Sequence, residues 1–325
     1  MTPEEPHVQS IGIFRALQLG DILCSIPAIR ALRHAFPQAK ITFIGLPWTA
    51  DIIARFPAYI DEFMDFPGYP GLPEQPFDDV NFKHFLLATR ARHFDLLLQM
   101  QGSGSIVNNL LATFGAKQLA GFCEQEPGTS ANFLLYPDSI HEVHRHLALM
   151  THLGIPLYGD ELEFPLHEAD FAAIEPWKLA RPYICVHPGS RGNWRQWPPQ
   201  HFASVADRCA ELGYQIVITG TANERSIAEE ISGLMANPAT ITSGETSLGG
   251  VAALISRSSG LIANCTGVSH IAAALKKQSV IISMDGEPNR WAPLNKELHK
   301  TIDWTVTPDY ALVLNEVCKV FPPVS

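Results

Sequence analysis

One carboxylate near the start of the chain lies where a predicted strand and turn lead into a helix. Residues 11–15 form a short apolar run, and Gly20 and Asp21 come where the chain turns into a predicted helix. A carboxylate held rigidly at that position and aimed into a cleft could act as a general base. An aspartate is equally suited to cap the N-terminus of the helix. The residues alone leave both roles open for Asp21.

A loop in the second half of the chain carries residue types that bind anions. Residues 187–198 follow a predicted strand and contain the hydroxyl of Ser190 and the guanidinium groups of Arg191 and Arg195. Arginine binds phosphate oxygens in a bidentate manner. The loop is therefore a candidate phosphate site, although exposed arginines on a loop would explain the same pattern.

A second segment of the same half could bind the same anion. Residues 264–270 join a predicted strand to a helix, with Thr266 and Gly267 at the helix N-terminus. Backbone dipoles at that position hold phosphate groups. A capped helix with His270 in the core is the alternative. The anion-binding interpretation is favoured because this segment and 187–198 both lie at the carboxyl ends of strands in one domain.

A glycine-rich turn at residues 101–105 (QGSGS) is similar to part of a dinucleotide-binding fingerprint. Val107 occupies the position of the third glycine, and no clear acidic partner for a ribose follows at the usual spacing. A tight turn between a strand and a helix explains the segment better. The turn can still line a cleft, because ligands of open α/β sheets bind outside the carboxyl ends of strands.

Short apolar runs alternate with helical patterns along most of the chain. This predicts an α/β protein with two doubly wound, Rossmann-like domains that face each other across a cleft. The stretch 156–182 lacks periodicity and is the predicted linker, so the domains are expected at 1–175 and 176–325. The irregular segment 66–76 is expected to be a surface excursion or lid, and the last helix could pack on either domain. The predicted strands are 11–15, 40–45, 94–100, 183–186, 215–219, 260–264 and 279–284, and the predicted helices are 21–36, 141–153, 198–212, 223–235, 246–256, 268–276 and 310–321.

Length and composition exclude several classes of protein. The chain has 325 residues, 46% of them apolar and 17% charged, which is typical of a folded protein with two domains. Its formal net charge of -10 disfavours nucleic-acid binding. No run reaches the roughly 18 apolar residues of a membrane-spanning helix and no signal pattern is present, so a cytoplasmic location is expected. The six cysteines lack C-x-x-C spacing and are expected to be reduced and mostly buried.

A series of motifs resembles the ADP-heptose:lipopolysaccharide heptosyltransferases of glycosyltransferase family 9, in the same order along the chain. The resemblance spans residues 11–295. It implies a GT-B fold, with the acceptor in the N-terminal domain and the nucleotide sugar in the C-terminal domain. The motifs are Leu19-Gly20-Asp21 with 26–32 (IPAIRAL), 120–122 (AGF), 187–189 (HPG), 195–198 (RQWP), Gly220-Thr221 with Glu224, Ser243-Gly244 with Ser247-Leu248, 264–270 (NCTGVSH) and 290–293 (RWAP).

The resemblance also implies an activity. It is the inverting, metal-independent transfer of a heptose or related sugar from a nucleotide diphosphate sugar, with ADP-heptose as the expected donor and no cofactor. The acceptor is expected to be the lipopolysaccharide core or another saccharide or glycolipid, with peripheral contact at the inner membrane. A nucleotide-sugar epimerase or hydrolase, and a non-catalytic nucleotide-sugar-binding protein, are the alternatives on the same fold.

Roles for individual residues follow from the same resemblance. Asp21 matches the catalytic aspartate, and Arg195 stands where the family usually has a lysine. Cys265 departs from the family, which usually has an aspartate there that is associated with donor recognition. The residues expected to bind the donor are Ser190, Arg191, Arg195, Glu224, Thr266, Gly267 and His270, and those expected on the acceptor side are Arg15, Gly20 and Gln101.

The charge is divided unevenly between the two predicted domains. Residues 1–175 contain 10 Lys+Arg and 21 Asp+Glu, hence -11, and residues 176–325 contain 13 and 12, hence +1. An acidic acceptor domain would repel an anionic saccharide unless local basic patches reverse the sign. The candidates for those patches are Arg15, Arg30, Arg33, Arg90 with Arg92, and residues 144–146.

Overall fold

The apolar runs of the sequence form the central strands of two parallel sheets. The structure, a computed structural model, describes residues 8–125, 131–179 and 182–324. The chain divides into two units, Met1–Glu161 and Leu162–Ser325, and each has one six-stranded sheet. The predicted α/β class with two Rossmann-like domains is confirmed.

The described residues of the first unit form six strands and five α-helices. They are β1 (Ser10–Phe14), α1 (Leu19–Ala35), β2 (Lys40–Gly45), α2 (Ala50–Ile53), β3 (Glu62–Asp65), α3 (Asp79–Arg90), β4 (Leu96–Gln99), α4 (Ser105–Ala112), β5 (Gln118–Cys123), β6 (Phe133–Leu135) and α5 (Glu142–His152). The strands pair in the order β3-β2-β1-β4-β5-β6. The order therefore reverses between β1 and β4, which is where open α/β sheets bind ligands.

The second unit repeats this topology in its described residues. They form α6 (Glu168–Ala172), β7 (Tyr183–His187), α7 (Pro199–Glu211), β8 (Gln215–Ile218), α8 (Arg225–Leu234), β9 (Ala239–Ile241), α9 (Leu248–Arg257), β10 (Gly260–Asn264), α10 (Gly267–Ala274), β11 (Ser279–Ser283), α11 (Pro288–Trp291), β12 (His299–Asp303) and α12 (Tyr310–Val320). The order is β12-β11-β10-β7-β8-β9, so the reversal lies between β7 and β10.

The boundary between the units precedes the one expected from the sequence. The sequence predicted it after residue 175, whereas the structure has it after Glu161. The intervening residues belong to the second unit because α6 packs against α9 and Glu175 accepts a hydrogen bond of 2.8 Å from Arg257. The last helix, α12, packs on α7 and β11 of the second unit, with Val313 and Val317 buried.

The sequence did not predict the strands at the edges of either sheet. The four edge strands, β3, β6, β9 and β12, are only three to five residues long, and most of their residues are partly exposed. Their polar or mixed sequences lack the continuous apolar runs of the buried central strands. β5 and α3 were also missed. Residues 66–76 contain neither helix nor strand, as expected.

The sequence also predicted that no helix spans a membrane and that most cysteines are buried. Within the described residues, no helix has both the length and the apolar character that crossing a membrane requires. Four cysteines are buried, in agreement with the sequence analysis. They are Cys24, Cys185, Cys209 and Cys265.

The glycine-rich turn between β4 and α4 offers a matched pair of substitutions. Gly104 has a φ of +90°, and a Cβ atom there would lie 2.4 Å from the carbonyl oxygen of Phe122, whereas Gly102, with a φ of +58°, has open space around its missing Cβ. Gly102→Ala should lower the free energy of unfolding by roughly 1 kcal/mol, because alanine disfavours the left-handed backbone conformation. Gly104→Ala should lower it distinctly more, because the new Cβ also collides with the main chain. Thermal denaturation should rank the melting temperatures as wild type, Gly102→Ala, then Gly104→Ala. Equal losses would contradict this account of the turn.

Candidate functional site

Asp21 is the third residue of α1, the helix that follows the carboxyl end of β1 after a short turn. Its Oδ2 accepts a hydrogen bond of 3.2 Å from the backbone N–H of Gln18, so one oxygen does take part in capping the helix. Its Oδ1 lies 3.6 Å from Nη2 of Arg15, and 20% of the side chain is exposed. The carboxylate is therefore held in place and still reachable, which is compatible with both roles considered from the sequence.

Arg15 connects Asp21 to the neighbouring elements. Only 1% of this residue is exposed. Its Nε donates to the main-chain oxygen of Asp21 at 2.7 Å, Nη1 donates to the main-chain oxygen of Met100, and Nη2 donates to Oε1 of Glu142 at 3.1 Å. Buried as it is, the guanidinium joins the loop after β1 to α1, to the end of β4 and to the start of α5.

Glu142 forms the centre of a buried ionic cluster that sequence reasoning missed. Besides Arg15, it contacts Arg145 through an ion pair and His146, whose Nε2 lies 3.3 Å from Glu142 Oε1. Burial alone would raise the pKa of Glu142, but the contact with His146 and the charges of Arg15 and Arg145 hold it well below the usual range. Burial lowers the pKa of His146 to about 4. The only sequence signal was a basic run, 144–146, which had suggested a surface patch.

The basic residues considered as acceptor contacts are paired with protein groups. Arg145 and His146 are buried and cannot form a surface patch. Arg33 pairs with Asp61. The remaining contacts are those of Arg92 with Glu62, His144 with Asp160, Arg90 with the carbonyl oxygen of Thr113, and Arg30 with the carbonyl oxygen of Tyr158.

The other acceptor-side candidates also lie at this reversal of strand order. Gly20 is the second residue of α1, next to Asp21. Gln101 follows β4, and its Oε1 accepts a hydrogen bond of 2.7 Å from the backbone N–H of Ala16. The structure thus brings Arg15, Gly20, Asp21 and Gln101 to one edge of the first sheet.

In the second unit, two buried hydroxyl groups lie at the corresponding reversal. Ser190 follows β7, and Thr266 follows β10 as the residue before α10. Neither Ser190 Oγ nor Thr266 Oγ1 is solvent-accessible, and neither has a hydrogen-bond partner within the part of the chain that the structure describes. An unpartnered buried hydroxyl is costly, so this pair indicates a place for a ligand with hydrogen-bonding oxygens. Gly267 opens α10 there, as predicted from the sequence.

Asn264 joins the two segments that carry these hydroxyls. The residue is fully buried at the end of β10. Its Oδ1 accepts from the backbone N–H of Trp197 at 2.9 Å, and its Nδ2 donates to the carbonyl oxygen of Pro188 at 2.6 Å. The loop 187–198 is thereby fixed against β10. The sequence offered one signal for this role, an amide side chain at the end of an apolar strand.

Arg195 supplies a positive charge at the residue that precedes Thr266. Its Nη2 pairs with Asp285 and lies 3.5 Å from the carbonyl oxygen of Cys265. Asp285, which sequence reasoning did not single out, is 4% exposed and accepts a hydrogen bond of 2.8 Å from the hydroxyl of Ser283. Burial, with the charge of Asp285, raises the pKa of the Cys265 thiol to about 12, so this thiol is neutral. Arg191 is exposed.

Glu224 and His270 complete the donor-side set predicted from the sequence. Glu224 accepts hydrogen bonds from the backbone N–H and the hydroxyl of Thr221 at 2.8 and 2.9 Å. It packs so closely on Gly189 that a Cβ there would lie 2.1 Å from its carboxyl group. His270 is buried in α10, with its ring 6.3 Å from that of Trp291.

The candidate site of the second unit is built from hydroxyls, arginine and a helix N-terminus. Within the described ranges, no group of three or more histidine, cysteine, aspartate or glutamate side chains is arranged to hold a metal ion. The chemistry available from these residues is binding of an anion in the second unit and proton transfer by Asp21 in the first.

Comparison with known proteins gives the family. The model of glycosyltransferase family 9 (heptosyltransferase) matches residues 84–307. Lipopolysaccharide heptosyltransferase 3 of Escherichia coli strain K12 is 25% identical over 299 residues, which are 86% of this chain and 83% of that protein. The glycosyl transferase family 9 structure from Veillonella parvula superposes with a TM-score of 0.82 at 17% identity, over 98% of both chains.

A second solved structure has the same fold. The E. coli ADP-heptose lps heptosyltransferase II superposes with a TM-score of 0.76 at 22% identity, over 96% of this chain and 98% of that one. At these identities the two structures establish the GT-B fold. Because the family match extends over more than half of the chain, this protein belongs to glycosyltransferase family 9, the heptosyltransferases.

Proposed function

We propose that this protein transfers a heptose from ADP-heptose to a saccharide of the lipopolysaccharide-core type, with inversion at the anomeric carbon and without a metal ion. The observation that carries the proposal is the pair of buried, unpartnered hydroxyls of Ser190 and Thr266 beside Arg195. The names of the similar proteins, which refer to ADP-heptose and lipopolysaccharide, support this donor and acceptor.

The second unit would bind the donor. The hydroxyls of Ser190 and Thr266 and the backbone N–H groups at Gly267 would donate hydrogen bonds to the diphosphate. Arg195 would stabilise the charge that develops on the leaving ADP, a kind of stabilisation that is usually the largest single catalytic contribution. Arg191 would add charge from its exposed position. We assign Glu224 and His270 to the nucleoside and sugar parts of the donor.

The first unit would supply the base. Asp21 would accept the proton of an acceptor hydroxyl while that oxygen forms a bond to the anomeric carbon of the donor. The bond from that carbon to the diphosphate oxygen breaks as the new bond forms, and ADP leaves with the electron pair. Attack from the face opposite to the leaving group inverts the configuration.

The acceptor side of the proposal follows from the same reaction. Gly20 precedes Asp21 and would contact the saccharide, whereas Arg15 and Gln101 are buried and would act through other groups. A lipopolysaccharide-type acceptor is anchored in lipid, so the proposal includes peripheral contact with the inner membrane from the cytoplasm.

The proposed base can be tested by Asp21→Asn. The amide keeps an oxygen that can accept from Gln18 but cannot take a proton, so kcat should fall roughly 100- to 10,000-fold. The affinity for ADP should not change, because ADP is assigned to the other unit. Steady-state transfer assays and calorimetry measure the two quantities. Asp51→Asn, at an exposed residue of α2, serves as the control and should keep full activity. Near-normal kcat in Asp21→Asn would refute the assignment.

The donor site can be tested by Thr266→Val. This change removes one hydroxyl and keeps the shape of the side chain. We expect the Kd for ADP to rise about tenfold, while the melting temperature of the unliganded protein stays equal or increases, because an unpartnered buried hydroxyl costs roughly 1–3 kcal/mol. Titration calorimetry and thermal denaturation give the two values.

Thr301→Val is the matched control for this test. The Thr301 hydroxyl is also buried without a partner in the described structure, but it lies on the edge strand β12, two strands away from β10. This variant should show the same or better stability and unchanged ADP affinity. If Thr266→Val binds ADP like the wild type, the hydroxyl pair does not belong to the donor site.

Metal independence has its own test. Because Arg195 and the N-terminus of α10 would provide the positive charge for the leaving group, an excess of EDTA should leave the rate of transfer unchanged. A rate that EDTA abolishes and that magnesium or manganese restores would contradict this part of the proposal.

A further inference from the structure

Glu142 has no part in binding either substrate in the function proposed above. It is 3% exposed and lies 127 residues from Arg15 along the chain, yet it accepts a hydrogen bond from the guanidinium that contacts Asp21. Arg145 and His146 of the same helix also contact its carboxylate. Burial of a carboxylate costs free energy of desolvation, which paired and hydrogen-bonded cations offset. Both oxygens of Glu142 have such partners.

We propose that Glu142 is a positioning residue for the proposed base: it holds Arg15 so that the guanidinium fixes the main chain and the carboxylate of Asp21. This inference rests on the proposed function. Its geometric basis is a guanidinium that contacts both residues. Nη2 lies 3.1 Å from Glu142 Oε1 and 3.6 Å from Asp21 Oδ1, and Nε lies 2.7 Å from the Asp21 main-chain oxygen.

The ion pairs of the cluster join two cations to two anions. Arg15 and Arg145 contribute two positive charges, and Glu142 and Asp21 contribute two negative charges. His146 is neutral near pH 7, because burial lowers its pKa to about 4. Glu142 stays ionised at the same pH, because its partners hold its pKa well below the usual range. Glu142 therefore partly neutralises the positive charge of Arg15 that acts on Asp21.

Removal of the negative charge of Glu142 changes the pKa of Asp21 in a definite direction. A nearby negative charge raises the pKa of a carboxyl group and a nearby positive charge lowers it. Without the charge of Glu142, the guanidinium of Arg15 loses one of its two carboxylate partners and interacts more strongly with Asp21, so the pKa of Asp21 should fall. A carboxylate with a lower pKa is a weaker base, and the transfer step slows.

Glu142→Gln tests the proposal, since the amide keeps the shape and removes the charge. We expect kcat to fall at least tenfold, the KM for the donor to stay within twofold, and the acidic limb of the kcat profile to move to lower pH by at least half a unit. An acidic limb at the wild-type position, whatever the loss of stability or rate, would show that Glu142 has only a structural role.

A second measurement does not depend on activity. With carbon-13 in the carboxyl groups of aspartate, the Asp21 signal is the one that Asp21→Asn removes. Its titration midpoint should be lower in Glu142→Gln than in the wild type. The proposed function fails if the wild type transfers no sugar, whereas this titration still decides on Glu142, so the two failures are distinguishable.

Arg145→Gln gives the opposite prediction and serves if Glu142→Gln does not fold. Without Arg145, Glu142 pairs more strongly with Arg15. Arg15 then stabilises the ionised form of Asp21 less. The midpoint of Asp21 should then move to higher pH. A midpoint that is unchanged or lower in Arg145→Gln would overturn the proposal.

Discussion

The reversal of strand order at the centre of each sheet is the constraint on which both candidate sites depend. Neighbouring parallel strands have their carboxyl ends at the same edge of the sheet. Where the strand order reverses, the segments after two neighbouring strands run to opposite faces of the sheet and leave a crevice between them. In the first unit this brings the loop after β1, with Asp21, next to the loop after β4. In the second unit it brings the loop after β7 next to the N-terminus of α10. Each site thus follows from strand pairing, and its residues need not be close in sequence.

The charged groups of the first site have partners, whereas two hydroxyls of the second site do not. In the first unit every charge of the cluster around Arg15 has a partner, so the carboxylate of Asp21 is held before any substrate arrives. In the second unit the hydroxyls of Ser190 and Thr266 are buried without partners in the described structure, which costs free energy in the unliganded protein. That difference suits the proposed roles, since a base must be oriented in advance and a binding site gains affinity when a ligand satisfies its donors.

The sequence predicted the central strands and the residues adjacent to them better than anything else. Strands 40–45 and 260–264 have the predicted bounds, because their apolar residues are buried on both faces. Asp21, Ser190 and Thr266 could be singled out because each follows such a strand. The edge strands could not be found in this way, as their half-exposed residues follow no continuous apolar pattern. Glu142 and Asp285 were missed for another reason: each acts on an arginine 127 or 90 residues away, and only the folded chain brings these side chains together.

The pairing of Arg195 with Asp285 has a consequence for selectivity among anions. In the proposed donor site, the guanidinium of Arg195 is already paired with the buried carboxylate of Asp285, so a small anion of low charge would gain little net attraction there. A diphosphate brings more charge and more acceptor oxygens, and it can also use the hydroxyls and the helix N-terminus that a single small ion cannot span. Under the proposed function, the carboxylate of Asp285 would therefore disfavour binding of small inorganic ions and leave the site available for a larger, more highly charged ligand.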